Sequence, residues 1–286
     1  MKNQHLKNIL ELNIAVLLIS TSGILGRYIS MPPPITIWFR CLLAALFLGL
    51  FIWYKKIDLK VTNKKDWKTI LLSGLFFGIH WITYFYALQL SNVAIGMLSL
   101  FTYPVITALL EPIFFKTKLN NKHVFLGILV LIGIYFLTPE FNIKNNYTLG
   151  VIFGVISSVF YALRNILLKK KVANYNGSML MFYQMLTVTL ILWPAFFIFD
   201  ANPIANDIPA LVVLALVTTS IGHTLFVMSF KNFSISTASI MSSIQPIYGI
   251  IFGFLILSEI PAPKTLIGGF LILLTVVFES IQSKKI

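Results

Sequence analysis

Residues 234–246 read Ser234-Ile-Ser-Thr-Ala-Ser-Ile-Met-Ser-Ser-Ile-Gln-Pro246, and they align at an offset of 142 residues with Asn92-Val-Ala-Ile-Gly-Met-Leu-Ser-Leu-Phe-Thr-Tyr-Pro104. Both stretches carry small and apolar residues and end in a proline that lies within a long apolar segment. A single shared proline carries little information, so the register has to hold elsewhere in the chain.

The same offset pairs Lys122 with Lys264 and Gly127 with Gly269. A proline, a lysine and a glycine that keep one register within similar apolar blocks indicate an internal duplication. We therefore predict two repeats, residues 1–144 and residues 145–286.

The composition is that of a membrane protein. Hydrophobic residues make up 58% of the chain, charged residues only 11%, and the mean hydropathy is +0.88, whereas about a quarter of the residues of a globular protein are charged. The net charge is +13, but the lysines lie in short loops between apolar segments, where they act as topology signals. We therefore predict an all-α integral membrane protein in contact with the lipid bilayer, with no nucleic acid as a partner.

About 20 largely apolar residues are needed for a helix to cross the hydrocarbon core, and ten segments of about that length are present. They are residues 9–29, 35–54, 68–89, 92–116, 122–138, 148–168, 178–199, 209–229, 235–258 and 264–282. With the N-terminus on the cytoplasmic side, nearly all loop lysines are cytoplasmic, and Lys144 and Lys264 are the exceptions. The prediction is a protein of the cytoplasmic (inner) membrane with both termini in the cytoplasm.

Five spans per repeat is an odd number, so the two repeats enter the membrane from opposite sides. Inverted repeats are a construction of secondary transporters, in which exchanging the conformations of the two halves opens a central site to one side or the other. We therefore predict ten transmembrane helices in two inverted five-helix repeats, working by alternating access.

The residues also resemble a known family. Thr237-Ala238-Ser239, Gln245-Pro246 and Ser258-Glu259 in the second half, Phe85-Tyr86-Ala87-Leu88 in the first, and Trp38-Phe39-Arg40 at the start of span two are similar to the EamA-like branch of the drug/metabolite transporter superfamily. The resemblance covers essentially the whole chain. It implies ten helices in two inverted repeats and the export or exchange of small metabolites. The first half departs from the pattern, with Thr117 where the second half has Glu259 and Tyr103 where it has Gln245.

Pro104 and Pro246 each fall near the middle of a predicted span. Proline has no N–H for the carbonyl four residues back, and in lipid that carbonyl needs another partner. Kinked helices are common in membranes, so these prolines either shape the helices alone or form a pair of hinges beside a central cavity. We predict the hinge role for both.

The candidate cavity residues are polar or aromatic side chains that are costly to expose to lipid. His80 and Tyr84 are four residues apart and share a helix face. Gln245 precedes Pro246, and Gln184 takes a place in span seven close to that of Arg40 in span two. Interhelical hydrogen bonding is the alternative role for each. The predicted substrate-cavity set is His80, Trp81, Tyr84, Tyr103, Asn165, Gln184, Gln245 and Arg40.

The charged residues are few enough to assign one by one. Arg40 lies about 8 Å from the outer end of span two by the helical rise, deep enough to need a partner. Arg164 lies about one turn from the predicted end of span six, and we expect it to snorkel to the surface. The aspartates fall in or beside loops. The residues left for proton coupling are Glu111, His80 and His223.

We predict a secondary transporter of a small organic metabolite, with an amino acid or related compound favoured, acting as an exporter or exchanger. The alternatives are an intramembrane enzyme and a channel. The chain contains neither His-Glu-x-x-His nor Gly-x-Ser-x-Gly nor a Thr-Val-Gly-Tyr-Gly filter. The lone Cys41 cannot form a metal cluster by itself. We expect no enzyme activity, no metal and no cofactor, and the sequence carries no signal for the oligomeric state.

Overall fold

The chain is a bundle of helices. The computed structural model describes residues 2–116, 121–137, 142–200, 207–233, 238 and 241–283, and in this part of the chain every regular element is helical. The helices are α1 (Lys2–Tyr28), α2 (Pro33–Lys55), α3 (Lys64–Leu90), α4 (Val93–Leu100), α5 (Tyr103–Phe115), α6 (Asn121–Leu137), α7 (Asn146–Val172), α8 (Gly177–Leu192), α9 (Asp207–Ser229), α10 (Gln245–Leu257) and α11 (Pro263–Ser283).

The apolar helices coincide with the predicted spans. Seven of those in the described residues are long and apolar enough to cross a membrane, and α4 and α5 together count as one of the seven. Three shorter apolar helices, Val124–Leu137, Gln245–Leu257 and Pro263–Thr275, fall within the remaining predicted spans. The all-helical membrane fold is thus confirmed, while the number of ten spans and the boundary between residues 144 and 145 stay predictions.

Asparagines and prolines set many of the helix starts. The side chains of Asn63, Asn92, Asn145 and Asn176 each accept a hydrogen bond from a backbone N–H in the first turn of the helix that follows, which satisfies a donor that has no partner inside the helix. Proline begins α2, where its fixed φ suits the first turn and its missing N–H costs nothing. The turn formers seen in the sequence are therefore caps as much as loops.

The fourth span of each half is broken at its proline. The prediction of one continuous helix over residues 92–116 was wrong, because α4 ends at Leu100 and α5 begins at Tyr103, one residue before Pro104. In the second half, turn residues 243–244 precede α10, which begins one residue before Pro246. A proline that cannot bond backwards ends the preceding turn and starts a new one.

The duplication extends to backbone detail. Adding 142 to the bounds of α5 gives those of α10, and adding 142 to the first residue of α6 gives the first residue of α11. The left-handed residues that terminate α5 and α10, Lys116 and Ser258, both have φ of 55° and are also 142 residues apart.

Equivalent helices exchange partners across the bundle. Helix α7 packs against α3 and α5, and its equivalent α1 packs against α9 and α10, the equivalents of α3 and α5. Helix α2 packs against its own equivalent α8, and α6 against its own equivalent α11. This is the contact pattern of a twofold relation between the halves, and it brings four helices of each half to the centre.

Helix α9 departs from α-helical geometry in its middle. It is α-helical over Asp207–Val213, π-helical over Leu214–His223 and α-helical again over Thr224–Ser229. Within the wider turns, the hydroxyls of Thr219 and Ser220 donate to the carbonyls of Leu214 and Ala215, five residues back. π-Helical turns are rare and are frequent at functional sites.

The distribution of side chains is that of a protein in lipid. Large apolar residues such as Leu50, Leu190 and Phe254 are exposed on the outside of the bundle, while Arg40, Arg164 and many hydroxyl groups are buried inside it. Because the hydrocarbon core offers no hydrogen-bond partners, polar side chains gain from facing the interior. The centre of the bundle is consequently the polar part of this chain.

The last helices of the two halves, α6 and α11, approach each other at glycines. A Cβ on Gly268 would lie 2.6 Å from the carbonyl oxygen of Gly133, whereas a Cβ on Gly127, also in α6, would meet nothing closer than 3.6 Å. A backbone carbonyl cannot rotate away as a side chain can. The helices can therefore pack this closely only with glycine at position 268.

Gly268→Ala should lower the stability of the purified protein by about 1–3 kcal/mol, because α6 and α11 must move apart to admit the methyl group. Gly127→Ala is the matched control, and it should be neutral or slightly stabilising because alanine favours a helix. Thermal unfolding in detergent measures both. Equal effects of the two substitutions would contradict the close contact.

Candidate functional site

A small polar cavity lies at the centre of the bundle, between helices of the two halves. Its volume is about 20 Å³, enough for one or two water molecules. Six of its lining residues belong to the predicted set, namely His80, Trp81, Tyr84, Tyr103, His223 and Gln245. A larger cleft of about 670 Å³ lies around Trp53 and Phe182, but it is lined by none of the predicted residues. The binding of an organic molecule in the central cavity requires the surrounding helices to move apart.

His80 is held in one orientation by α7. The Ser157 hydroxyl donates to the carbonyl oxygen of His80 at 2.8 Å, so its oxygen is left to accept, at 2.7 Å, from Nδ1 of the His80 ring. This arrangement places the ring proton on Nδ1. The ring stacks on Tyr161 and, as the spacing of four residues predicted, is parallel to Tyr84.

Arg40 is fully buried on α2. Its guanidinium carbon lies 3.8 Å from the centre of the Trp81 ring, a cation–π contact. Nε donates to the Thr219 hydroxyl at 2.7 Å and Nη1 to the Ser22 hydroxyl at 3.4 Å, while Nη2 has no hydrogen-bond partner among the described residues. The π-helical segment of α9 thus supplies the closest ligand of Arg40.

Arg164 does not reach the surface, and the prediction that it snorkels was wrong. It is fully buried, its guanidinium carbon lies 4.0 Å from the centre of the Phe77 ring, and three of its polar contacts are to amide oxygens. Nε and Nη2 donate to Oε1 of Gln184, and Nη1 donates to Oδ1 of Asn165. Helix α7 continues to Val172, so Arg164 lies two turns from its end.

The two arginines are joined through stacked aromatic rings. The rings of Phe77 and Trp81 have centroids 3.8 Å apart, and each carries one guanidinium on its face. Among the described residues, the salt bridges are Lys7–Glu11, Arg27–Glu259, Lys169–Glu111 and Lys171–Asp66. Neither buried arginine is part of one.

Tyr103 and Gln245 bring the two broken spans together. The Tyr103 hydroxyl and the Ser242 hydroxyl are 2.6 Å apart, so the first residue of α5 is linked to the residue before the break ahead of α10. Pro104 and Pro246 are buried directly beside these residues. The polar groups at both breaks therefore meet beside the cavity.

The residues predicted for proton coupling are not all in one place. His223 lies edge-on to Phe77 and Trp81 at the cavity, and its Nδ1 has no partner among the described residues. Glu111 lies away from the cavity, one turn from the end of α5, where it accepts from Lys169 Nζ at 3.3 Å. Asn165 and Gln184 bind Arg164 and do not line the cavity.

Four residues of the centre were missed in the sequence: Phe77, Ser157, Tyr161 and Thr219. Helical spacing carried a signal for three of them. Phe77 lies three and four residues before His80 and Trp81, and Ser157 and Tyr161 share a face with Arg164 and Asn165. Thr219 depends on π-helical geometry, which has no simple sequence pattern. In the described residues, no group of three or more histidine, cysteine, aspartate or glutamate side chains is arranged to hold a metal.

Comparison with known proteins identifies the fold. The family model described as the EamA-like transporter family matches twice, at residues 7–138 and 148–281. A solved crystal structure covers 98% of both chains with a TM-score of 0.72 at 15% identity, a similarity of fold alone.

The sequence relatives are transporters. The uncharacterized transporter YxxF of Bacillus subtilis is 26% identical over 85% of this chain and 79% of its own, and an uncharacterized transporter of Archaeoglobus fulgidus is 27% identical over 81% and 84%. The pseudopaline exporter CntI of Pseudomonas aeruginosa is 20% identical over 90% and 88%. The chain is therefore a membrane transporter that belongs to the EamA-like transporter family.

Proposed function

We propose that this transporter is a secondary carrier that moves a small organic metabolite, an amino acid or a related compound, out of the cell or in exchange for another. It works by alternating access between two inverted repeats, residues 1–144 and 145–286, that form ten spans in the cytoplasmic membrane with both termini in the cytoplasm. The central cavity between the halves is the substrate site, and Arg40, His80, Trp81, Tyr84, Tyr103 and Gln245 are its residues.

The observation that supports this mechanism most strongly is a pair of equivalent ion pairs. Arg27 Nε lies 3.0 Å from Glu259, and Lys169 Nζ lies 3.3 Å from Glu111. Arg27 and Lys169 are 142 residues apart, near the ends of the equivalent helices α1 and α7. Each pairs with a glutamate at or near the end of the fourth span of the other half. In the proposed topology, Arg27–Glu259 lies on the outer side of the membrane and Lys169–Glu111 on the inner side.

The two pairs have the positions that gates need. Each joins the first span of one half to the broken span of the other, so separation of either pair frees the halves on that side only. The outer pair has extra bonds, because Arg27 Nη1 donates to the Gln89 carbonyl and Glu259 accepts from the backbone N–H of Val93. In the proposed cycle one pair separates while the other holds, and the broken helices bend at Pro104 and Pro246.

The direction of transport rests on a relative. The pseudopaline exporter, which covers 90% of this chain, moves its substrate outward by its name, and we propose the same direction here. Of the residues predicted for proton coupling, Glu111 belongs to the inner gate in this proposal. His80 and His223, at the cavity, are then the proton-coupling candidates.

The gates predict a side-specific change in accessibility. In a Cys41-free variant carrying Gln245→Cys, Glu259→Gln should raise labelling by an impermeant thiol reagent from the outside by about two- to fivefold, the size expected for a partly exposed ion pair. Glu111→Gln should raise labelling from the inside by a similar factor. Right-side-out and inside-out vesicles separate the two directions.

Glu11→Gln is the control for this labelling, because it removes an exposed pair with Lys7 within α1 and should change neither direction. An increase on the same side for both gate variants would contradict alternating access. So would equal labelling of the control and the gate variants.

Transport itself is tested by counterflow in proteoliposomes loaded with amino acids, sugars, nucleosides or organic cations. A saturable exchange of an amino acid or related compound is expected, and Pro104→Ala or Pro246→Ala should slow it several-fold because the broken helices then tend to straighten. Pro261→Ala, in the loop before α11, is the matched control and should leave exchange unchanged. Absence of exchange for every class would overturn the carrier proposal.

A further inference from the structure

Arg40 and Arg164 form an uncompensated cationic centre. An arginine side chain stays protonated in proteins, and removing a charged group from water costs several kcal/mol unless a counter-charge and hydrogen bonds compensate. In the described part of the chain, both arginines are fully buried and neither lies within 4.0 Å of a carboxylate. Their acceptors are neutral hydroxyl, amide and thioether groups.

The two arginines differ in how far their donors are used. Each of the three nitrogens of Arg164 donates to an amide oxygen, at 2.9–3.1 Å. Arg40 has one short bond, to Thr219, one long bond, to Ser22, and an Nη2 group without a partner among the described residues. Arg164 is therefore braced by the protein, while Arg40 retains unused hydrogen-bond capacity.

Arg40 lies directly beside the central cavity. Its contacts Trp81 and Ser22 both line the cavity, and Trp81 is also in contact with His223 across a centroid distance of 5.4 Å. His223 is 3% exposed and lines the same cavity with an unpartnered Nδ1. Two buried nitrogens without partners thus lie on either side of one indole ring.

We propose that the carried metabolite presents an oxyanion group, a carboxylate or a phosphate, that binds Arg40 with a hydrogen bond from His223. The inference rests on the carrier function proposed above and narrows it to anionic substrates. A guanidinium is matched in geometry to both kinds of oxyanion and binds either through two parallel hydrogen bonds. Arg164, behind the neighbouring Phe77 ring, adds a second positive charge that attracts the same group.

The experiment is a thermal-shift measurement on the full chain in detergent, with matched anionic and neutral probes at about 10 mM and constant ionic strength. Succinate is compared with succinamide, and glycerol 3-phosphate with glycerol. The proteins are the unsubstituted chain, Arg40→Gln, Arg40→Lys and the control Lys68→Gln, which removes an exposed lysine from α3. Response to succinate alone indicates an organic acid as the substrate, and response to glycerol 3-phosphate alone indicates a phosphate ester.

At least one anion should raise the Tm of the unsubstituted chain and of Lys68→Gln by about 2–4 °C, while its neutral counterpart does not. Arg40→Gln should lose this shift, and Arg40→Lys should keep a smaller one because the charge remains without the planar fork. Without probe, Arg40→Gln should have an unchanged or higher Tm, since it removes an uncompensated buried charge. A purely structural arginine predicts a lower Tm instead.

The proposal is overturned if neutral and anionic probes act alike, if no probe shifts the Tm, or if Arg40→Gln keeps the anion response. Should Arg40→Gln fail to fold, Arg40→Lys decides, because an unchanged anion response in that variant contradicts the need for the guanidinium fork. Counterflow of neutral metabolites without an anion response would overturn this inference and leave the carrier standing. An anion response without any counterflow would do the reverse.

Discussion

The absence of water from the bilayer core is the constraint on which this structure depends. Every polar group within the spans has to find its partner inside the protein, and the chain meets this demand by placing its polar residues where helices of the two halves meet. The stacked rings of Phe77 and Trp81 are the clearest result, since each carries one buried guanidinium. The helices that surround these rings are those that exchange equivalent partners, so the fold and the polar centre have one origin.

Most of the fold could be predicted because its signals are local or periodic. Apolar runs of span length locate the helices, and the register of Pro104 with Pro246 locates the repeat, which the equal bounds of α5 and α10 then reproduce. The breaks themselves were missed as interruptions, although their cause, proline, was recognised. A proline in the middle of an apolar run is compatible with a kinked helix or with two helices, and only packing decides between them.

The candidate site was predictable in composition more than in geometry. His80, Tyr84 and Trp81 were identified from their spacing on one helix face, and they do meet at the cavity. Arg164 was misjudged because its depth was measured from the predicted end of its span, while α7 continues to Val172. Its ligand Gln184 lies on another helix, and the ligand of Arg40, Thr219, lies in a π-helical turn. Contacts of this kind depend on how helices pack, which no pattern within a single helix encodes.

The buried arginines also connect the protein to the electrical state of the cell. The membrane potential acts on any charge that changes its position in the field, by about 2.3 kcal/mol per elementary charge for each 100 mV. In an alternating-access cycle, Arg40 and Arg164 change their exposure to the two sides, so the unloaded centre moves as a cation and a centre holding a monoanion moves with one charge fewer. The resting voltage, negative inside, therefore favours the inward-facing arrangement of the unloaded carrier. Loading with an anion weakens that bias.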